Sequence, residues 1–330
     1  MKAFLRLAWV GMVLPAAWAA LVTFAAPQSE DRAAVKVLRP PLSHEAVDRS
    51  PVITGLAIQP GGRTALCVGD DHTIGLWDLT SGALVRSKTI HADWIRAIAI
   101  SGDGRMAATV GHDRRLRLIS LPEMHVTAES PICPSALFAA AFSPDGTTVA
   151  AVGFDRQVRL FDVRDAAQRA QWEGPAADLR TVAYSPDGRF LVVGGQGGTL
   201  RVFDAASGEK RADLAAGVRA VLCAAFSPEA TLLATAGQGR TIRIWDTATW
   251  QPRVEMAVAA GSVRALCFCG DALLAAGDTT NAITLWRADG QSAGRCAGHT
   301  GTPAALAYDA ANGVLVSAGF DASVRIWAMR

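Results

Sequence analysis

A six-residue phrase recurs seven times down this chain at almost constant spacing. Its copies are Thr-Ile-Gly-Leu-Trp77-Asp78, Arg-Leu-Arg-Leu-Ile119-Ser120, Gln-Val-Arg-Leu-Phe161-Asp162, Thr-Leu-Arg-Val-Phe203-Asp204, Thr-Ile-Arg-Ile-Trp245-Asp246, Ala-Ile-Thr-Leu-Trp286-Arg287 and Ser-Val-Arg-Ile-Trp327-Ala328. The anchors Trp77, Ile119, Phe161, Phe203, Trp245, Trp286 and Trp327 lie 42, 42, 42, 42, 41 and 41 residues apart. A period of about 40–45 residues holding several short strands marks propeller blades, because one such unit cannot bury its apolar surface alone. The repeat constrains architecture tightly and function hardly at all.

Within one unit, Ile95 to Ile100 reads as a strand and Ser101-Gly-Asp103-Gly104 as a turn. Met106-Ala-Ala-Thr109-Val110 is the next run, a Gly-His-Asp113-Arg turn follows, and Leu116 to Ile119 closes the third run. After the anchors comes a fourth, as in Ala83 to Ile90. Short β-rich runs parted by Gly/Asp turns predict four antiparallel strands per blade. Several runs are apolar on both faces, as a sheet sandwiched between neighbours requires. Only three residues follow Trp327, whereas the outer strand of the first unit starts about six residues past its anchor, at Ala83. The last blade is therefore expected to borrow its outer strand from Ala34-Val-Lys-Val-Leu38, the β-like run before the first blade. The expected fold is all-β: a seven-bladed propeller over residues 33–330, closed by an N-terminal strand in the last blade.

These residues resemble WD-repeat β-propellers. The family's Ser-Pro-Asp-Gly turn stands at Ser143-Pro144-Asp145-Gly146 and Ser185-Pro186-Asp187-Gly188, and its turn Asp, six residues before the anchor, matches Asp71, Asp113, Asp155 and Asp321. Its Gly-His pair is complete at Gly298-His299, and His91 stands alone at the equivalent place. The resemblance implies a structural network of His299, Ser317, Asp321 and Trp327 in the last blade, and a partial one of His91, Thr109 and Asp113 in blade two, where Ile119 replaces Trp. Gly197, Gly239 and Thr280 replace the turn Asp in blades four, five and six, and the matching His is missing there as well. Losing both partners together leaves no orphaned group. A His, Ser and Asp in one blade also suggest a catalytic triad; their recurrence in a repeat pattern favours the structural role.

Lys2 and Arg6 precede Leu7 to Ala26, a stretch without charge that contains Pro15 and Ala17-Trp18-Ala19. This reads as a signal peptide over residues 1–26, cut after Ala19 or Ala25, with an uncleaved membrane anchor as the competing reading. Residues 27–32 read as a short polar linker. Either reading predicts export to a bacterial periplasm, soluble or held at the inner membrane. Cleavage that removes Lys2 and Arg6 takes the formal charge from +2 to zero. No basic stripe interleaved with aromatics is present, which argues against nucleic acid.

Six cysteines occur, at 67, 133, 223, 267, 269 and 296. Cys67, Cys223 and Cys267 fall within strand runs as small buried hydrophobes. Cys267-Phe268-Cys269 places two sulfurs on one strand face, where a metal or redox role is the alternative to packing. No Cys-x-x-Cys, Gly-x-Ser-x-Gly, His-Glu-x-x-His or Gly-Lys-Ser/Thr motif occurs, so neither a cofactor nor an enzymatic activity is expected.

The one sign of a recognition surface comes from aligning the inner strands. Blades two, four and six carry Arg96, Arg180 and Arg264 at a slot where the others have Thr54, Phe138, Leu222 and Ala304. The slot lies near one mouth of the central channel, with Trp94 beside Arg96, and Arg and Trp are enriched among interface hot spots. The bland alternative is solvated mouth residues without a ligand. The expected function is a non-enzymatic scaffold for protein–protein interaction, with a partner of acidic surface at Trp94, Arg96, Arg180 and Arg264. The alternative is a small-molecule-binding or enzymatic propeller that uses the channel mouth.

Overall fold

A computed structural model describes residues 31–39, 51–259 and 261–329. Every regular element among them is a strand, arranged in seven sheets. Blade two is representative: Ile95–Ile100, Met106–Gly111, Leu116–Ser120 and His125–Glu129 pair in chain order, each antiparallel to the next. Its second strand is buried on both faces from Ala107 to Gly111, while His125–Glu129 at the rim alternates exposed and half-buried. The sequence shows why: Ala, Val and Leu fill both faces where two blades clamp a strand, and polar residues return where one face meets water.

The core is a set of wedges between consecutive blades. Leu66, Val68, Ile74 and Leu76 of blade one meet Ile95, Ile98, Ala107 and Ile119 of blade two in one such wedge. Burying each Leu or Ile stabilises by about 1.5–3 kcal/mol, so the fold rests on the interfaces between blades. The hairpin turns are fixed locally. Ser143 Oγ donates to Asp145 Oδ1 at 2.5 Å, Asp145 accepts the Thr147 N–H at 3.1 Å, and Gly146 takes φ 70°. In blade five Ala230 occupies that place at φ 58°, a strained conformation for a side-chain-bearing residue.

Ring closure follows the expected scheme. Lys36–Leu38 pairs antiparallel with Ile326 to Val324, the Val35 N–H donates to Ile326 O at 2.7 Å, and Leu38 is buried in the wedge between blades seven and one. The contact extends further than the sequence indicated. Asp31–Arg32, the end of the segment read as a linker, is a strand parallel to Arg295 and Cys296 at the rim of blade six. Arg32 Nη1 then donates to Ala328 O at 2.9 Å, and Lys36 Nζ to Thr80 O at 2.6 Å. One short segment thus ties blades six, seven and one. Residues 1–30, with the signal or anchor stretch and the rest of the linker, lie outside the described residues. No helix among the described residues is long and apolar enough to cross a membrane.

Candidate functional site at the channel mouth

Inner strands of successive blades stand side by side around the channel, the last against the first. In all seven, the register to the second strand slips at the second residue. The extra residue is Thr54, Arg96, Phe138, Arg180, Leu222, Arg264 or Ala304. A bulge releases one residue from the ladder and re-aims its side chain. The seven released side chains, with Phe320, line one cavity of about 180 Å³. The slot aligned from the sequence is therefore a ring of β-bulges.

The three arginines share that cavity but differ in surroundings. Arg96 and Arg180 converge on the residue between them: their guanidinium carbons lie 5.3 and 4.6 Å from the Phe138 ring centre. Arg96 also covers Trp94 at 5.5 Å, and Arg180 covers Phe154 at 4.5 Å. His112 stacks on Trp94 with centroids 5.7 Å apart, and Phe154 sets its edge to both His112 and Phe138. Arg96 Nε donates to His112 Nε2 at 2.8 Å, which requires a neutral imidazole. Burial first, and then the positive charge of Arg96, lowers the His112 pKa and keeps it so. Arg180 is held by Asp178, with Nη2 2.7 Å from Oδ2 and Nε 2.6 Å from Oδ1. Arg264 is exposed and has no hydrogen bond or ion pair among the described residues. The three arginines on alternate blades are therefore not equivalent: an arginine–aromatic stack over blades two to four faces a lone Arg264.

Trp94, 41% exposed, sits on the outer side of this stack with Phe154, and Phe320 is exposed across the cavity. Sequence reading singled out Trp94 and the arginines, but not His112, Phe154 and Phe320. These three occupy one aligned position, seven residues before their anchors, which is the signal that would have found them.

The polar networks sit apart from the mouth cavity. In blade seven, Trp327 Nε1 donates to Ser317 Oγ at 2.8 Å, Ser317 Oγ lies 2.7 Å from His299 Nε2, and His299 Nδ1 lies 3.1 and 3.0 Å from the Asp321 oxygens. The ionised Asp321 carboxylate can only accept, so His299 Nδ1–H donates to it, and the bare Nε2 of the neutral ring accepts from Ser317 Oγ–H. Ser317 is fully buried, which gives no substrate access to a nucleophile. In blade two, His91 Nδ1 is 2.9 Å from Asp113, and Nε2 is 2.9 Å from Thr109 Oγ1. Burial opposes ionisation of Asp113, yet the bonds and charges of His91 and Arg117 outweigh it and hold the carboxyl below the usual carboxylate range.

Cys67 and Cys223 are buried, and burial pushes the Cys67 thiol up to about 12. Contact with Cys267, followed by burial, raises the Cys269 thiol too. Among the described residues no group of three or more His, Cys, Asp or Glu is placed to hold a metal ion.

Comparison with known proteins agrees with this architecture. No curated protein matches the chain. The family model for the WD domain, G-beta repeat, matches residues 42–78, 82–120, 132–162, 167–204, 215–246 and 290–328, more than half of the chain; blade six, which has Thr280 in place of the turn Asp, is the unmatched one. The chain belongs to the WD40 repeat family, whose propellers typically mediate protein–protein interactions.

Proposed function

We propose that this chain is an exported, non-enzymatic platform that binds other proteins on the mouth face of its propeller. The bulge ring carries the reading. It brings seven residues that the sheet does not need into one cavity with exposed Phe320, while exposed Trp94 and Phe154 pack against Arg96 and Arg180. Aromatic and arginine side chains held rigid by mutual stacking lose little entropy on binding and make strong anchors. The cavity lining offers cations and rings rather than a paired acid and base, which favours recognition over catalysis. An acidic partner suits that charge, and its capture should weaken as salt rises.

The test compares proteins captured from the native envelope by wild type and by an Arg96/Arg180/Arg264→Ala variant of matched melting temperature. The variant should lose the partner; undiminished capture would move the recognition face elsewhere. Export is read from the mature N-terminus by mass spectrometry, with cleavage after Ala19 or Ala25 expected. A cytosolic, uncut protein would overturn it.

A further inference from the structure

We infer that the bulge ring takes one phosphoryl group, held by Arg96, Arg180 and Arg264; this rests on the mouth being the recognition face. The residues lining the cavity include these three arginines and no Asp or Glu. The nearby acids are engaged outside it. Asp178 forms an ion pair with Arg180, Asp93 accepts the Trp94 N–H at 2.7 Å, and Asp70 accepts the Val52 N–H at 2.8 Å. Arg96 uses only Nε internally, on His112, and Arg264 makes no bond among the described residues. Donors therefore remain free on two of the three arginines.

Arg96 and Arg180 reach the cavity together over Phe138, and Arg264 lines it from another blade. A phosphoryl group carries about −1.5 to −2 charge near pH 7 and three strong acceptor oxygens, one for each arginine. A carboxylate brings two oxygens and a single charge. The cavity of about 180 Å³ equals about six waters at roughly 30 Å³ each, enough for one such group and its linking atom but too small for a folded surface. Phe138 makes the arrangement persist without ligand. Both Arg96 and Arg180 lie over its ring, which offsets their mutual repulsion and fixes the planes of their N–H edges.

The experiment titrates the full chain with inorganic phosphate and, separately, with acetate at equal ionic strength, following the melting temperature and binding heat. Phosphate should stabilise the wild type and acetate should not. Arg264→Ala, which should melt as wild type in chloride, should bind phosphate about tenfold more weakly, the loss of one charge-assisted bond. Phe138→Leu keeps all three charges and should also weaken phosphate. Equal responses to phosphate and acetate, or undiminished phosphate affinity in Arg264→Ala, would overturn the site. Phosphoserine binding more tightly than phosphate assigns the group to a phosphorylated chain, and weaker binding assigns it to a free anion; both outcomes support the site. If the wild type ignores phosphate while the triple arginine variant loses its protein partners, this inference fails and the mouth face stands. If Arg264→Ala loses phosphate but the triple variant still captures every partner, the anion site stands and the protein-recognition reading fails.

Discussion

Blade seven and blade four share one strand plan and place their polar residues oppositely. Blade seven buries a chain from Trp327 through Ser317 and His299 to Asp321, and borrows its outer strand from Lys36–Leu38. Blade four has Gly197 instead of the turn Asp, and its own Lys210–Ala215 forms the rim. The hub in both is the Arg two residues before the anchor. In blade seven Arg325 Nη2 reaches Asp321 at 3.6 Å, and in blade three Arg159, 2% exposed, pairs with Asp155. Without that Asp, Arg201 turns to the rim and chelates Asp213 at 2.8 and 3.0 Å, as Arg243 does with Glu255 at 2.8 Å. A blade can therefore be stitched through its buried turn or along its wet edge. The two differ in vulnerability: a buried network cannot lose one member cheaply, whereas a half-exposed ion pair contributes little.

The sharpest way to break this comparison is to remove residues 33–39. Blade seven loses its rim and the ring its seam, so the melting temperature should drop by more than about 5 °C and the exposed strand edge should promote aggregation. An unchanged melt would mean that the ring closes otherwise. Next in size is Trp327→Ala, expected to cost about 3–5 kcal/mol in urea melts through lost packing. Asp321→Ala should cost about 1–3 kcal/mol, because the His299, Thr300 and Ser323 donors lose their acceptor. Arg201→Ala in blade four should cost under about 1 kcal/mol. Equal losses at Asp321 and Arg201 would erase the distinction between buried and edge stitching.

Acid offers a milder probe. Burial, outweighing the Asp partners, lowers the pKa of His91 and His299 below the ordinary 6.5. The unfolded chain therefore takes up protons first. Stability should be complete above about pH 6.5 and decline as the pH falls from there towards the folded-state values. Urea melts at pH 7.5 and 5.5 should show that decline, with a shallower slope in His299→Gln. A flat profile would show that these imidazoles are solvated.

The features legible in the sequence were those written locally or by fixed spacing. The anchors gave the blade count, and the 22-residue separation of His299 from Asp321 matched the network found. Ala34 to Leu38 could be identified as the closing strand because blade seven lacked one. What was hidden depends on contacts between distant residues. A bulge has no residue signature when Thr54, Arg96 and Leu222 all occupy it. The stack of Arg96 and Arg180 over Phe138 joins three blades, and Arg201 looks identical in sequence to Arg159 although their partners lie on opposite sides. Asp31–Arg32 pairs with blade six through its backbone, which leaves little trace in composition.

The bulge ring has an evolutionary consequence. A residue released from the ladder owes nothing to strand pairing, so its identity is free to vary while the blades remain intact. This chain already spells the ring as Thr, Arg, Phe, Arg, Leu, Arg and Ala. The mouth behaves as a seven-character label printed on a scaffold that does not constrain the wording. Relatives built on the same blades could change ligand by rewriting those characters, one blade at a time.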